Sequence, residues 1–73
     1  MLMEVEMAAR IEFRDFSGRL LGWREQTGTS RIEGRDFTGR LKGYYDVRNN
    51  ETCNAGGRVV GRGDLLSALI VSL

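Results

Sequence analysis

The sequence contains no histidine and a single cysteine, Cys53, among its 73 residues. Without histidine the chain lacks the commonest general base of enzymes. One cysteine supplies neither a zinc ligand set nor an internal disulfide, and it suits a reducing compartment, so we expect a cytoplasmic protein. Small domains usually need a disulfide, a metal or association with other chains. Oligomerisation is therefore the expected source of added stability.

Long apolar runs are also missing. The longest, near residues 65–73, is far too short to cross a bilayer, and Glu4 and Glu6 stand where a secretory signal would need a basic stretch and an apolar run. We expect no membrane partner. The net charge of +1 gives no overall attraction to nucleic acid. The basic residues are ten arginines and one lysine. We expect a single domain, residues 1–73, that buries only about 60% of its unfolded surface.

A thirteen-residue phrase occurs twice. RIEFRDFSGRLLG at 10–22 and RIEGRDFTGRLKG at 31–43 agree at ten of thirteen positions. Each copy contains D-x-S/T-G-R, and a degenerate third copy spans 54–58. Asp or Asn suits the first position of a type I turn, and Gly at the fourth suits the left-handed residue of a G1 bulge. The pattern predicts three β-hairpins, with turn residues Asp15, Gly18, Asp36, Gly39, Asn54 and Gly57.

Direct pairing across these turns predicts the faces of the strands, because register decides which side chains share a face. Phe13 then lies opposite Leu21 and Ile11 opposite Trp23, and an apolar stripe continues upstream through Met3, Val5, Met7 and Ala9. In the later hairpins the predicted opposite pairs are Ile32 with Tyr44, Gly34 with Lys42, and Thr52 with Val60.

The same register places a glycine opposite each of three glutamates, in the pairs Glu12–Gly22, Glu33–Gly43 and Glu51–Gly61. Glycine inside a strand weakens it, so its repetition needs a reason. Sheet bending or the close approach of another backbone is the favoured interpretation, and a ligand groove over the glycines is the alternative.

Further turns at 26–29 and 49–50 complete an antiparallel meander of about six strands. The predicted fold is all-β, bent or rolled, with a small closed β-barrel as the alternative. Leu65, Leu66, Leu69 and Ile70 have helical spacing after Asp64, a good N-cap. They predict a short C-terminal helix, although the β-branched Ile70 and Val71 would also suit a final strand.

Residues Gly39 to Ile70 resemble the small bacterial four-fold β-flower domains. That family's pattern is a G-R-x-x-G-x-Y-D strand, a T-x-D-x-x-G-R turn and then G-x-L-L-x-x-L-I. The matching residues are Gly43, Tyr45, Asp46, Thr52, Gly57, Arg58, Leu65, Leu66, Leu69 and Ile70. Asn54 replaces the usual Asp, and Asp64 stands in place of Asn. The resemblance covers less than half of the chain and implies an all-β module of unassigned function without a catalytic residue.

We expect no enzyme activity, since no nucleophile has a base partner at a recognisable spacing. The series Glu12, Glu33 and Glu51 is interleaved with arginines, which favours a solvent-facing salt-bridge ladder over a carboxylate site. Phosphate-loop spacings are absent. The sequence thus predicts no catalytic residue, no metal and no cofactor, and it does not identify a small-molecule ligand.

Nucleic-acid binding is possible but not favoured. Phe16 and Phe37 occupy equivalent loop tips beside arginines, and the sheet also carries the rings of Trp23, Tyr44 and Tyr45. Ten acidic residues are interspersed with the basic ones, however, and no RNP-type aromatic motif is present.

Self-association is favoured, because one sheet must bury a face against another layer. A helix of about nine residues would be only about 14 Å long, too short to cover six strands, and open edges also promote pairing. We expect a homo-oligomer whose interface includes Phe13, Leu21, Trp23, Tyr44, Leu66, Leu69 and Ile70.

Overall fold

A computed structural model of the chain describes residues 10–72. They form six strands and one helix: β1 Arg10–Arg14, β2 Leu20–Gln26, β3 Arg31–Asp36, β4 Leu41–Asp46, β5 Glu51–Asn54, β6 Val59–Arg62 and α1 Leu66–Val71. The predicted stripe through Met3, Val5, Met7 and Ala9 lies outside the described residues.

The six strands form one antiparallel sheet in which the order in space is the order in the chain. The predicted all-β meander with a short C-terminal helix is confirmed. Within residues 10–72, β1 and β6 are the two edges of an open sheet, which does not close into the alternative barrel.

The three repeated turns connect β1 to β2, β3 to β4 and β5 to β6. Gly18, Gly39 and Gly57 adopt φ values of 89°, 89° and 88°. This left-handed conformation is the one that a residue with a Cβ resists, which explains why glycine recurs at the fourth turn position.

The predicted register is wrong by one residue. Phe13 lies opposite Gly22 rather than Leu21, and Ile11 lies opposite Arg24 rather than Trp23. The same correction applies to the other predicted pairs, because Ile32 lies opposite Tyr45, Gly34 opposite Gly43, and Thr52 opposite Gly61. A bulge in each hairpin sets two residues against one, and the extra residue moves every later side chain to the other face.

The corrected register separates the glycines from the glutamates. Gly22, Gly34, Gly43 and Gly61 lie under the C-terminal segment, and the pairs Glu12–Gly22, Glu33–Gly43 and Glu51–Gly61 do not form. A methyl group at Gly22 would lie 2.5 Å from Ile70, and one at Gly61 would lie 2.5 Å from Leu65. The glycines therefore leave room for apolar side chains of the C-terminal segment close to the sheet. These side chains occupy the surface on which a ligand groove was the alternative interpretation.

Helix α1 begins one residue later than the predicted cap requires. Leu65, not Asp64, is the N-cap residue, and the Asp64 carboxylate accepts a hydrogen bond from the Leu66 N–H at 3.1 Å. Leu66 and Ile70 are 0% and 2% exposed. Burial of these two side chains fixes the helix against β2, β3 and β4.

The core is small. Among the described residues, the buried apolar side chains are Cys53, Leu66 and Ile70, and the one buried polar side chain is Thr52. Each fully buried apolar side chain contributes about 1.5–3 kcal/mol, so this core is a modest one even for a short chain.

Candidate functional site

The three repeated turns lie at one end of the sheet, because alternate turns of a meander share an end. In each turn the side-chain oxygen of Asp15, Asp36 or Asn54 accepts the N–H groups two and four residues further on, at 2.9–3.1 Å. The second turn residue makes none of these bonds, so its side chain is free to project from the tip.

Hydrogen bonds lower the pKa values of the two turn aspartates. The Ser17 hydroxyl, followed by the Arg19 N–H, holds the pKa of Asp15 below its usual value. The Thr38 hydroxyl is the largest influence on the pKa of Asp36, which is also lowered. Both carboxylates are therefore ionised at neutral pH.

Two phenylalanines project from these turns. Phe16 is fully exposed, and Phe37, its equivalent in the repeat, is 65% exposed. Strands lie about 4.8 Å apart, so neighbouring tips are separated by about 10 Å. The turns also carry the exposed residues Arg19, Arg40 and Arg58.

The sheet face opposite α1 carries alternating charges, and we call it the ladder face. Glu12 lies 2.8 Å from Arg14 and 3.7 Å from Arg10. Glu33 lies 2.9 Å from Arg35 and 3.3 Å from Arg31.

Two aromatic rings of the ladder face are covered by guanidinium groups. Arg10 lies 3.8 Å from the ring centre of Trp23, and Arg31 lies 3.9 Å from that of Tyr44. The Trp23 indole N–H donates to Glu25 at 2.6 Å. A hydrogen bond with Cys53 raises the pKa of Tyr44. The arginines thus occupy one face of each ring.

The charges of the ladder face balance. Its five arginines and five carboxylates are Arg10, Arg14, Arg31, Arg35 and Arg62 against Glu12, Glu25, Glu33, Asp46 and Glu51. A face with no net charge exerts little pull on a polyanion.

An apolar groove runs between the end of α1 and the first two turns, and we call it the helix groove. It has a volume of about 630 Å³ and is lined by the apolar side chains of Leu20, Leu21, Phe37, Ile70 and Val71. The polar residues beside them are Arg19, Asp36, Lys42 and Ser72.

A second groove, of about 340 Å³, lies beside β1. Its apolar residues are Ile11, Phe13 and Ile32, and Ser67 of α1 closes one side. Ile11 is 58% exposed. Among residues 10–72, no element covers β1 as α1 covers β2–β4.

The structure divides the predicted interface residues among three places. Phe13 and Leu21 line the two grooves, while Trp23 and Tyr44 lie on the ladder face. Leu69 is half-buried over Gly43. Leu66 and Ile70 are in the core of their own chain. Trp23 and Phe13 thus lie on opposite faces, although the predicted register placed them on one stripe.

Sequence reasoning did not find the polar residues that hold α1 in place. Arg24 pairs with Asp64 at 2.6 Å. The Thr52 hydroxyl donates to the Gly63 carbonyl at 2.7 Å and accepts the Leu65 N–H at 2.9 Å. The resemblance to the β-flower pattern includes Thr52, but its partners are eleven and thirteen residues away, beyond any local motif.

Opposing influences act on Asp64. Partial burial alone would raise its pKa, but the hydrogen bonds from Arg24 and from the Leu66 N–H hold the pKa below the usual value. Lys42 donates to the Ser72 carbonyl at 3.1 Å. Both ends of α1 are thus tied to the sheet by charged side chains.

Residues 10–72 contain no cluster of three or more His, Cys, Asp or Glu side chains that could bind a metal. The helix of this region is also too short to span a bilayer. Comparison with protein-family models, curated proteins and solved structures finds no match to this chain. The resemblance to four-fold β-flower domains therefore stays a prediction.

Proposed function

We propose that this protein is a non-enzymatic module that self-associates and acts through that assembly. The observation that carries the proposal is the small core: three buried apolar side chains among residues 10–72, beside two apolar grooves and two open edges. Domains of this size usually obtain the missing stability from another source. A second copy of the chain supplies it without a metal or a disulfide.

Exposed apolar side chains support the same proposal. Phe16, Phe37 and Val71 are exposed near the helix groove, and Ile11 is exposed near β1. Clustered apolar surface of this kind marks sites where soluble proteins associate. Closed symmetry is the usual outcome for identical chains. The single free cysteine is buried, which fits the proposed cytoplasmic setting.

Light scattering across a range of protein concentrations tests the proposal. We expect a mass above the 8.2 kDa of one chain at micromolar concentration, and a melting temperature that rises with concentration because association and folding are linked. A constant mass of one chain together with a concentration-independent melting temperature would contradict it.

Weak nucleic-acid binding is the second candidate, and one observation favours it. Phe16 and Phe37 are exposed on neighbouring tips with Arg19, Arg40 and Arg58, an arrangement compatible with base stacking and phosphate contacts. The balanced ladder face counts against it, because Arg10 and Arg31 already cover Trp23 and Tyr44.

A further inference from the structure

The Phe16 side chain is exposed and takes no part in the hydrogen bonds that form its turn. The hydrogen bonds of the turn are made by Asp15, Ser17, Gly18 and Arg19, and the Phe16 side chain is fully exposed. A phenylalanine ring removes about 150–250 Å² from water when it is buried. The side chain thus offers a large apolar area that residues 10–72 of its own chain leave exposed.

The helix groove offers apolar walls close to that side chain. Arg19, Leu20 and Leu21, which follow the first turn, line the groove. Phe37, the repeat equivalent of Phe16, lies against the same groove. A tip phenylalanine is therefore compatible with these walls, while Phe16 itself does not enter the groove of its own chain.

We propose that the helix groove of one copy holds the Phe16 side chain of a second copy. The proposal rests on the self-association proposed above and identifies its contact. Tip and groove are neighbours on the surface, so two copies related by a two-fold axis exchange their phenylalanines reciprocally. Each groove then gains an apolar contact that residues 10–72 of its own chain do not supply.

Charge complementarity favours a second copy as the occupant. Asp15 directly precedes Phe16, and the groove carries the cations Arg19 and Lys42 beside Asp36, which gives it a net positive charge. An exchanged tip brings the Asp15 carboxylate to the cations of the groove. The turn bonds of Asp15 all end on Oδ1, which leaves Oδ2 for Lys42 of the other copy.

The contact buries a small area for a protein interface. Two exchanged rings and the groove walls that face them bury about 600–1,000 Å² in total, close to the lower limit of about 1,000 Å² for a specific interface. We therefore expect a dimer whose population depends on the protein concentration.

Phe16→Ala tests the contact without disturbing the fold, since the side chain is fully exposed within its own chain. Light scattering should show a dissociation constant raised at least about tenfold, and the denaturation midpoint of the dilute single chain should not change. Val47→Ala is the matched control, because Val47 is 49% exposed in the turn after β4, at the other end of the sheet. It should leave the mass unchanged.

Disulfide trapping tests the geometry independently. In a Cys53→Ala background, one copy carries Ser17→Cys at the tip and the other carries Ser72→Cys at the groove. Mixing and mild oxidation should give the mixed disulfide, whereas Ser30→Cys at the opposite end should not replace Ser17→Cys.

The outcomes separate the two proposals. An assembly whose mass is unaffected by Phe16→Ala, and that gives no mixed disulfide, overturns the groove contact and leaves self-association standing. A wild-type protein that stays a single chain at all concentrations overturns both. A single chain whose binding to oligonucleotides or lipid vesicles depends on Phe16 assigns the ring to another partner and also overturns the contact.

Discussion

The Leu66 side chain lies directly on the backbone of Gly34. A methyl group at Gly34 would be 2.8 Å from Leu66 Cδ1 and 2.8 Å from Ile70 Cγ1. Because both side chains belong to the core, neither can move away freely. We expect Gly34→Ala to lower the free energy of unfolding by about 1–3 kcal/mol through overpacking, as measured by urea denaturation.

Gly28→Ala is the matched control for this substitution. A methyl group at Gly28 would meet no atom within 4 Å. The free energy of unfolding of Gly28→Ala should therefore stay within about 0.5 kcal/mol of the wild-type value. Equal midpoints for the two variants would show that α1 does not pack on Gly34.

Adjacent glycines in the third turn separate backbone strain from packing. Gly57 has a φ of 88°, and a methyl group added to it would meet no atom within 4 Å. Gly56 does not lie in the left-handed region. Gly57→Ala should cost about 1–2 kcal/mol in unfolding free energy from the left-handed conformation alone, and Gly56→Ala much less. If calorimetry gives the reverse order, the assignment of the bulge glycine is wrong.

Thr52 is the buried hydroxyl that joins β5 to the start of α1. Thr52→Val keeps the shape of the side chain but leaves the Gly63 carbonyl and the Leu65 N–H without this partner. Buried groups that lose a partner cost about 1–3 kcal/mol, so chemical denaturation should detect a loss of that size. Thr52→Ser, which keeps the hydroxyl, should retain most of the stability, and a Ser variant as unstable as the Val variant would refute the role of the hydroxyl.

Acid should destabilise the fold below about pH 4. The pKa values of Asp15, Asp36 and Asp64 are lowered in the folded protein. These carboxylates therefore add stability at pH values above the pKa of an aspartate in the unfolded chain, about 3.9. That contribution is lost as the pH falls through the folded values. Melting temperatures between pH 7 and pH 2 should therefore decline mainly in the acid part of the range.

The third turn supplies the control, since Asn54 accepts the same two backbone N–H groups without ionising. The double variant Asp15→Asn, Asp36→Asn should keep the hairpins and show a smaller decline in acid. An unchanged decline would show that the turn carboxylates are not its source.

We expect no tight binding of nucleic acid. Titration with single-stranded oligonucleotides at about 150 mM salt should give dissociation constants no better than the non-specific range of about 10⁻⁴–10⁻⁶ M. Sub-micromolar binding that weakens steeply with salt, and that is lost when Arg19, Arg40 and Arg58 are neutralised, would favour the second candidate function.

The turns could be predicted from the sequence because their chemistry is local. Asp36 and Gly39 lie within one five-residue turn, and their roles follow from a carboxylate acceptor and a positive φ. The register could not be read as easily. Lys42 is the extra residue of the second bulge, and counting pairs directly across the turn omits it.

The candidate grooves were beyond sequence reasoning for a related reason. A shift of one residue put Trp23 on the face opposite Phe13. The groove beside α1 is lined by Leu20, Leu21 and Phe37, which come from two different hairpins. The position of the helix on the sheet depends on contacts between residues far apart in the chain, such as the pair of Arg24 and Asp64, 40 residues apart. Periodicity predicts that a helix forms, but it does not tell which strands the helix covers.

The contact between Arg24 and Asp64 also has an expected consequence for the order of folding. Each strand pairs with its neighbour in the chain, and such short-range pairings close small loops and form early. The bond from Arg24 to Asp64 spans 40 residues, so we expect the packing of α1 on the sheet to be a late step of folding. During synthesis, the glycine-bearing face of the sheet stays uncovered until Leu66 and Ile70 have left the ribosome. In that interval a nascent chain exposes a surface on which an apolar segment of another chain could bind.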